Sequence, residues 1–186
     1  GHYADWVMYS DALLAWPRAV AAALDAEYGT CAFGGTGWIK AANPFVPPLP
    51  ESWQFYFDGH SRLTGEKLFP NPDYVIVNMG TNDGDRPTST AIESWVRQVR
   101  HAIGQTVPII VIVPFGQMNR NMITAALSKL HDRHLHKVDL GPQWAYGLSH
   151  YGHSSSASFD GLHPRADVTA EYASAVTAAI LRATVH

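Results

Sequence analysis

Residues 74–84 read Tyr74-Val75-Ile76-Val77-Asn78-Met79-Gly80-Thr81-Asn82-Asp83-Gly84, an apolar run that ends abruptly in glycine, asparagine and aspartate. A strand with one wet face alternates apolar and polar residues. A run that is apolar at successive positions must be covered on both faces, which is the habit of strands in parallel sheets. Val107 to Val113, VPIIVIV, repeats the pattern. Between the two runs Ile92, Val96, Val99 and Ile103 recur at helical spacing, and Met122, Ala126 and Leu130 do so after the second. Leu135 to Leu140 predicts another strand, and Val168, Tyr172, Val176 and Ile180 place one apolar face on a C-terminal helix. The order βαβαβ predicts an α/β layered fold with a mostly parallel sheet and helices on both faces. In such sheets the reactive loops follow the carboxyl ends of the strands.

The N-terminal half is less regular. Ala12 to Ala26 reads as a helix in which Pro17 marks either a kink or a new first turn. Gly29 to Phe33 is a candidate strand, broken by Gly34-Gly35-Thr36-Gly37. Trp38 to Pro72 carries prolines at 44, 47, 48, 50, 70 and 72 among Trp53, Phe55, Tyr56 and Phe57. Such a segment predicts a long irregular loop that forms a functional wall rather than a linker. Its aromatic residues either line a cleft or pack as a small core of their own.

Composition narrows the setting. A chain of 186 residues, 46% hydrophobic, predicts one domain spanning residues 1–186. Its net charge of −3, with no basic run, argues against nucleic acid or an anionic membrane as partner. No apolar run approaches the ~18 residues of a membrane span. The single cysteine, Cys31, reads as a buried packing residue and leaves the compartment open, secreted or cytoplasmic. His131-Asp132-Arg133-His134-Leu135-His136 straddles a helix end and a strand start, where side chains diverge, so no metal is expected there. The Ser154-Ser155-Ser156 tract with His150 and His153 reads as a polar approach to the loop that follows it.

Three loops then carry the chemistry, at the carboxyl ends of predicted strands. They are Ala32-Phe33-Gly34-Gly35-Thr36-Gly37-Trp38, Gly80-Thr81-Asn82-Asp83, and Ser158-Phe159-Asp160-Gly161-Leu162-His163-Pro164 ahead of the last helix. Together they resemble the motif blocks of the SGNH hydrolases, the GDSL esterase and lipase superfamily. Gly80-Thr81-Asn82-Asp83 is similar to that family's Gly-x-Asn-Asp block, Asp160 to His163 to its Asp-x-x-His block, and Gly35 best matches its oxyanion glycine.

The resemblance implies a three-layer αβα, flavodoxin-like fold with a mostly parallel sheet, and a serine esterase without cofactor or metal. His163 would be the general base and Asp160 the acceptor that fixes its tautomer. Asn82 and the Gly35 N–H would stabilise the oxyanion. Asp83 would tie its own loop. The implied substrates are short-chain acyl esters, with O-acetyl groups on carbohydrate foremost, and the alternative is a catalytically dead carbohydrate-binding module of the same type. Oligomeric state is not indicated.

The family's nucleophile lies in a Gly-Asp-Ser block, and no such triplet occurs in the chain. Either Trp6-Val7-Met8-Tyr9 supplies the first strand with Ser10 as nucleophile, or strand and serine precede Gly1. In a 2-1-3-4-5 sheet that strand is central, so its loss would leave buried strands unpaired.

Overall fold

Both apolar runs are strands, and they are parallel neighbours. The computed structural model describes residues 15–42, 46–57, 59–64, 72–141, 163–164 and 166–184. In chain order the elements are helix α1 (Trp16–Ala23), helix α2 (Leu49–Ser52), strand β1 (Phe55–Phe57), strand β2 (His60–Ser61), strand β3 (Val75–Asn78), helix α3 (Ser89–Ile103), strand β4 (Ile109–Ile112), helix α4 (Arg120–Leu130), strand β5 (Leu135–Val138) and helix α5 (Ala166–Thr184). They fall into two compact units, one from Gly1–Gly29 with Ser149–His186 and the other from Thr30–Leu148.

The larger unit holds an α/β arrangement built on the parallel sheet β3-β4-β5. Its register pairs Val75 with Ile109 and Val77 with Val111, and Ile109 in turn with Leu135, so these side chains share one face. On that face they meet Ile92, Trp95, Val96 and Val99 of α3 and Ile123 and Ala126 of α4 in a single core. Because the strand order is sequential, crossovers of the usual hand place both helices on the same side of the sheet. The two helices do pack against one another. Ile110 and Ile112 point to the opposite face and are also fully buried, so β4 is shielded on both faces, as its sequence demands.

Three local expectations need correction. Residues 29–33 form no strand: Thr30, Ala32 and Phe33 are exposed, so the burial that a two-sided strand requires is missing. Residues 38–72 are not structureless among the described positions, since α2 and the antiparallel pair β1-β2 interrupt them. Cys31 is half-buried rather than buried. The first helix begins at Trp16 with Pro17 in its first turn, where a missing N–H does no harm. Residues 12–14 lie outside the described residues.

In the smaller unit α1 and α5 pack together. Trp16 meets Tyr172 edge to face, with ring centroids 5.6 Å apart at 83°. Tyr172, Val176 and Ile180 form the buried stripe of α5, and burial pushes the Tyr172 phenol above its ordinary pKa. No helix among the described residues is long and apolar enough to cross a membrane.

Arg100, 7% exposed in the last turn of α3, staples the amino end of the sheet. Its Nε donates to Asp132 Oδ2 at 2.8 Å, Nη1 donates to the carbonyls of Gly104 at 2.9 Å and Val107 at 2.6 Å, and Nη2 donates to the His134 carbonyl at 3.3 Å. Val107 and His134 lead directly into β4 and β5. Replacing Arg100 with leucine strands these acceptors and a partly buried carboxylate, and should lower the unfolding free energy by about 3 kcal/mol in urea titrations.

Candidate functional site

At the other end of the sheet two loops distant in sequence are knitted together. After β3 the chain passes Gly80 and tightens into a 3-10 turn, Thr81–Asp83. Asp83, 2% exposed, sends its carboxylate into the glycine-rich loop. Its Oδ2 accepts the Trp38 N–H at 2.7 Å, and its Oδ1 accepts those of Ile39 at 3.0 Å and Lys40 at 3.1 Å. Three successive backbone amides thus form a concave donor site, and the carboxylate fills it. Gly37 makes room for this approach, because a Cβ there would collide with the Asp83 carboxylate.

Asn82 makes the second tie. Its Nδ2 donates to the Thr36 carbonyl at 2.9 Å, which leaves one of its two amide hydrogens for another acceptor. Gly35, immediately before, has a φ of +82°, a backbone conformation that side chains strain to adopt. The N–H groups of Thr36 and Gly37 are taken by the Phe33 and Lys40 carbonyls, whereas among the described residues that of Gly35 has no acceptor. An amide hydrogen and a backbone N–H therefore stand on adjoining loops as donors available to an anion or a carbonyl oxygen. Phe33 and Ile39, each 38% exposed, flank the glycines with apolar surface.

Trp38 and two residues not singled out in the sequence, Arg86 and Asn119, complete the cluster. The Trp38 indole donates to the Met79 carbonyl at 3.0 Å and packs edge-on against Trp95, centroids 5.6 Å apart. Arg86 donates from Nε to the Asp83 carbonyl at 2.9 Å. Asn119, ahead of α4, donates from Nδ2 to the Gly80 carbonyl at 3.0 Å and also to that of Gly84. The signal for Asn119 in the sequence was an asparagine before a helix, which ordinarily reads as a cap.

The loops of Gly35 and Asn82, predicted as site residues, are thus brought together. His163 belongs to the other compact unit, where it is exposed, three residues before α5 begins at residue 166. Asp160, Ser10, the stretch Trp6 to Tyr9, and His150, His153 and the serine tract between 154 and 156 lie outside the described residues. Of the aromatic residues assigned to the long loop, Trp38 is buried as core, and Trp53 is partly buried with its Nε1–H on Gln98 Oε1 at 2.9 Å. For these two the packing role holds. In the His131 to His136 run, Asp132 is bonded to Arg100 and to the His134 N–H, and His131 ends α4 with a left-handed backbone.

Comparison with models of protein families, with curated proteins and with solved structures finds no match for the chain.

Near the carboxyl end of β5, Asp139 accepts Arg120 Nε at 2.6 Å and the Gly141 N–H at 3.0 Å. Burial acts to raise its pKa, but the bonds from Arg120 and Gly141 and the charges of Arg120 and Lys137 outweigh it and hold the carboxyl below its usual value. A carboxylate depressed in the folded state stabilises the protein above its unfolded-state pKa, and that contribution is lost as pH falls through the folded value. Since Arg120 is 53% exposed, solvent screens the pair. Asp139→Asn should be less stable than the parent at pH 7 by under about 1 kcal/mol, and the gap should close below about pH 4 in a series of urea midpoints.

Gly37→Ala should cost about 1–3 kcal/mol, because the new methyl group displaces the Asp83 carboxylate from its three amides. The same urea titrations measure it.

Proposed function

We propose that the chain is an SGNH-type serine esterase that hydrolyses short-chain acyl esters, with O-acetyl groups on carbohydrate as the natural case. The observation that carries this reading is the Asn82 to Thr36 hydrogen bond, which sets a side-chain amide donor against the glycine loop whose Gly35 N–H has no acceptor among the described residues. Two donors on neighbouring loops, that of Asn82 at the carboxyl end of β3, suit the oxyanion of a tetrahedral intermediate. The three-layer, flavodoxin-like arrangement belongs to the same proposal, and the parallel β3-β4-β5 order is consistent with it.

In the proposed reaction a serine Oγ attacks the ester carbonyl carbon while His163 takes its proton, with Asp160 orienting the imidazole. The carbonyl oxygen becomes an oxyanion held by Asn82 Nδ2–H and the Gly35 N–H. Collapse of the intermediate breaks the bond to the alcohol, which receives the proton from His163. Water then repeats the sequence on the acyl-enzyme and releases the acid. Phe33 and Ile39 offer a small apolar contact suited to an acyl methyl group. The competing reading is a catalytically silent carbohydrate-binding module, favoured by the lack of a Gly-Asp-Ser triplet in the 186 residues.

Fluorophosphonate labelling with peptide mapping, beside turnover of p-nitrophenyl acetate, decides between them. The esterase reading expects one labelled serine, with label and turnover both lost in His163→Ala. Asn82→Ala should lower kcat by about two to three orders of magnitude while leaving the fold intact. A chain that takes no label and turns over no ester, yet binds acetylated oligosaccharide, is the module instead.

A further inference from the structure

We propose that Asn119, oriented by Thr88, is a positioning residue for the Asn82 amide; the inference rests on the reading of Asn82 as an oxyanion donor. Asn119 is 5% exposed and Thr88 fully buried. Asn119 stands at the N-terminal boundary of α4, where an asparagine side chain ordinarily bonds the free N–H groups of its own helix. Here it makes no such bond. Its backbone is left-handed, at φ 59° and ψ 12°, and its amide is turned away toward the loop after β3.

The chemistry of the partners fixes how that amide lies. The carbonyl oxygens of Gly80 and Gly84 only accept, so the nitrogen must face them and give one hydrogen to each. Oδ1 is left to accept the Thr88 hydroxyl, which donates to it. Every hydrogen of the amide group is thereby used. The two carbonyls bracket the turn Thr81–Asp83, so a single planar group pins both of its ends. Gly80 is crowded against the clamp as well, since a Cβ on it would lie 3.3 Å from Asn119 Cβ.

Asn82 projects from the middle of this turn. A preorganised donor works only if it is already aimed where charge will develop, and small displacements are costly in rate. Asn119 touches no reacting atom on this account. It acts through the turn, by denying the Asn82 backbone the freedom to swing its amide off the Thr36 carbonyl.

The test uses the whole chain and three variants: Thr88→Val, which keeps shape and removes the hydroxyl; Thr88→Ser, which restores it; and Asn119→Asp, which sets a carboxylate against two carbonyls. Amide hydrogen exchange by NMR at residues 80–84, the Asn82 side-chain amide signals, and steady-state turnover of p-nitrophenyl acetate are measured on each. Thr88→Val should speed exchange at 80–84 and lower kcat, each about tenfold, with KM unchanged, the effect of losing one hydrogen bond. Thr88→Ser should restore both, and Asn119→Asp should exceed Thr88→Val. If Asn119→Asp does not fold, the valine and serine pair decides alone. Wild-type kcat and unmoved Asn82 amide signals in Thr88→Val overturn the proposal, as does faster exchange spread evenly over all of residues 30–141. Should the parent chain turn over no ester, the reading of Asn82 as oxyanion donor fails, and exchange at 80–84 with the Asn82 signals still decides whether Asn119 positions the turn.

Discussion

A buried carboxylate has to be met by donors, and at Asp83 the donors are the backbone amides of residues 38, 39 and 40. This constraint organises the end of the sheet where the candidate site lies. The glycine-rich loop must approach the turn after β3 closely enough for three N–H groups to reach two oxygens, and that approach requires glycine at 37. Once the loops are joined, the Trp38 indole falls against the Met79 carbonyl and its ring against Trp95, so the polar tie is sealed on its inner side by the core. Asn82 occupies the outer side, its amide already committed by one hydrogen to Thr36.

The two ends of the sheet are secured by the same device with different chemistry. At the amino end the Arg100 guanidinium satisfies carbonyls from three segments at once, with Asp132 balancing its charge. At the carboxyl end a carboxylate gathers amide hydrogens and the Asn119 amide gathers carbonyls. In between, β4 needs no polar tether, because the buried isoleucines and valine from 109 to 112 hold it by apolar burial on both faces. A parallel sheet of four-residue strands is thereby kept in register mainly by what happens just beyond its strands.

How far all this was legible depended on the range of the interaction. The strands β3, β4 and β5 and the helices α3, α4 and α5 were readable, because burial of a strand on two faces or a helix on one stripe writes a local period into the sequence. The apolar look of residues 29–33 misled, since small residues such as Ala32 fit an exposed irregular segment as readily as a strand. The short α2 was masked by the prolines around it, although Pro50 in its first turn suits a helix start. Asp83 was legible as a tie for its loop, but its partners at 38–40 were not, because a carboxylate that bonds backbone amides leaves no matching side chain to find. Asn119 was illegible for a related reason: it lies 39 positions beyond Gly80, and nothing in the sequence signals the bond that joins them.

The way Asp83 grips the glycine loop has a further consequence for how this surface tolerates change. The carboxylate reads main-chain hydrogens only, so the Ile39 and Lys40 side chains contribute nothing to the grip. Ile39 stands more than a third exposed beside the donor groups. Any residue with an N–H serves at 39 or 40, and proline alone is barred. The surface around the donors is therefore free to drift in size, polarity and charge while the donors behind it stay fixed, a separation that lets this face diverge among variants without loss of the fold.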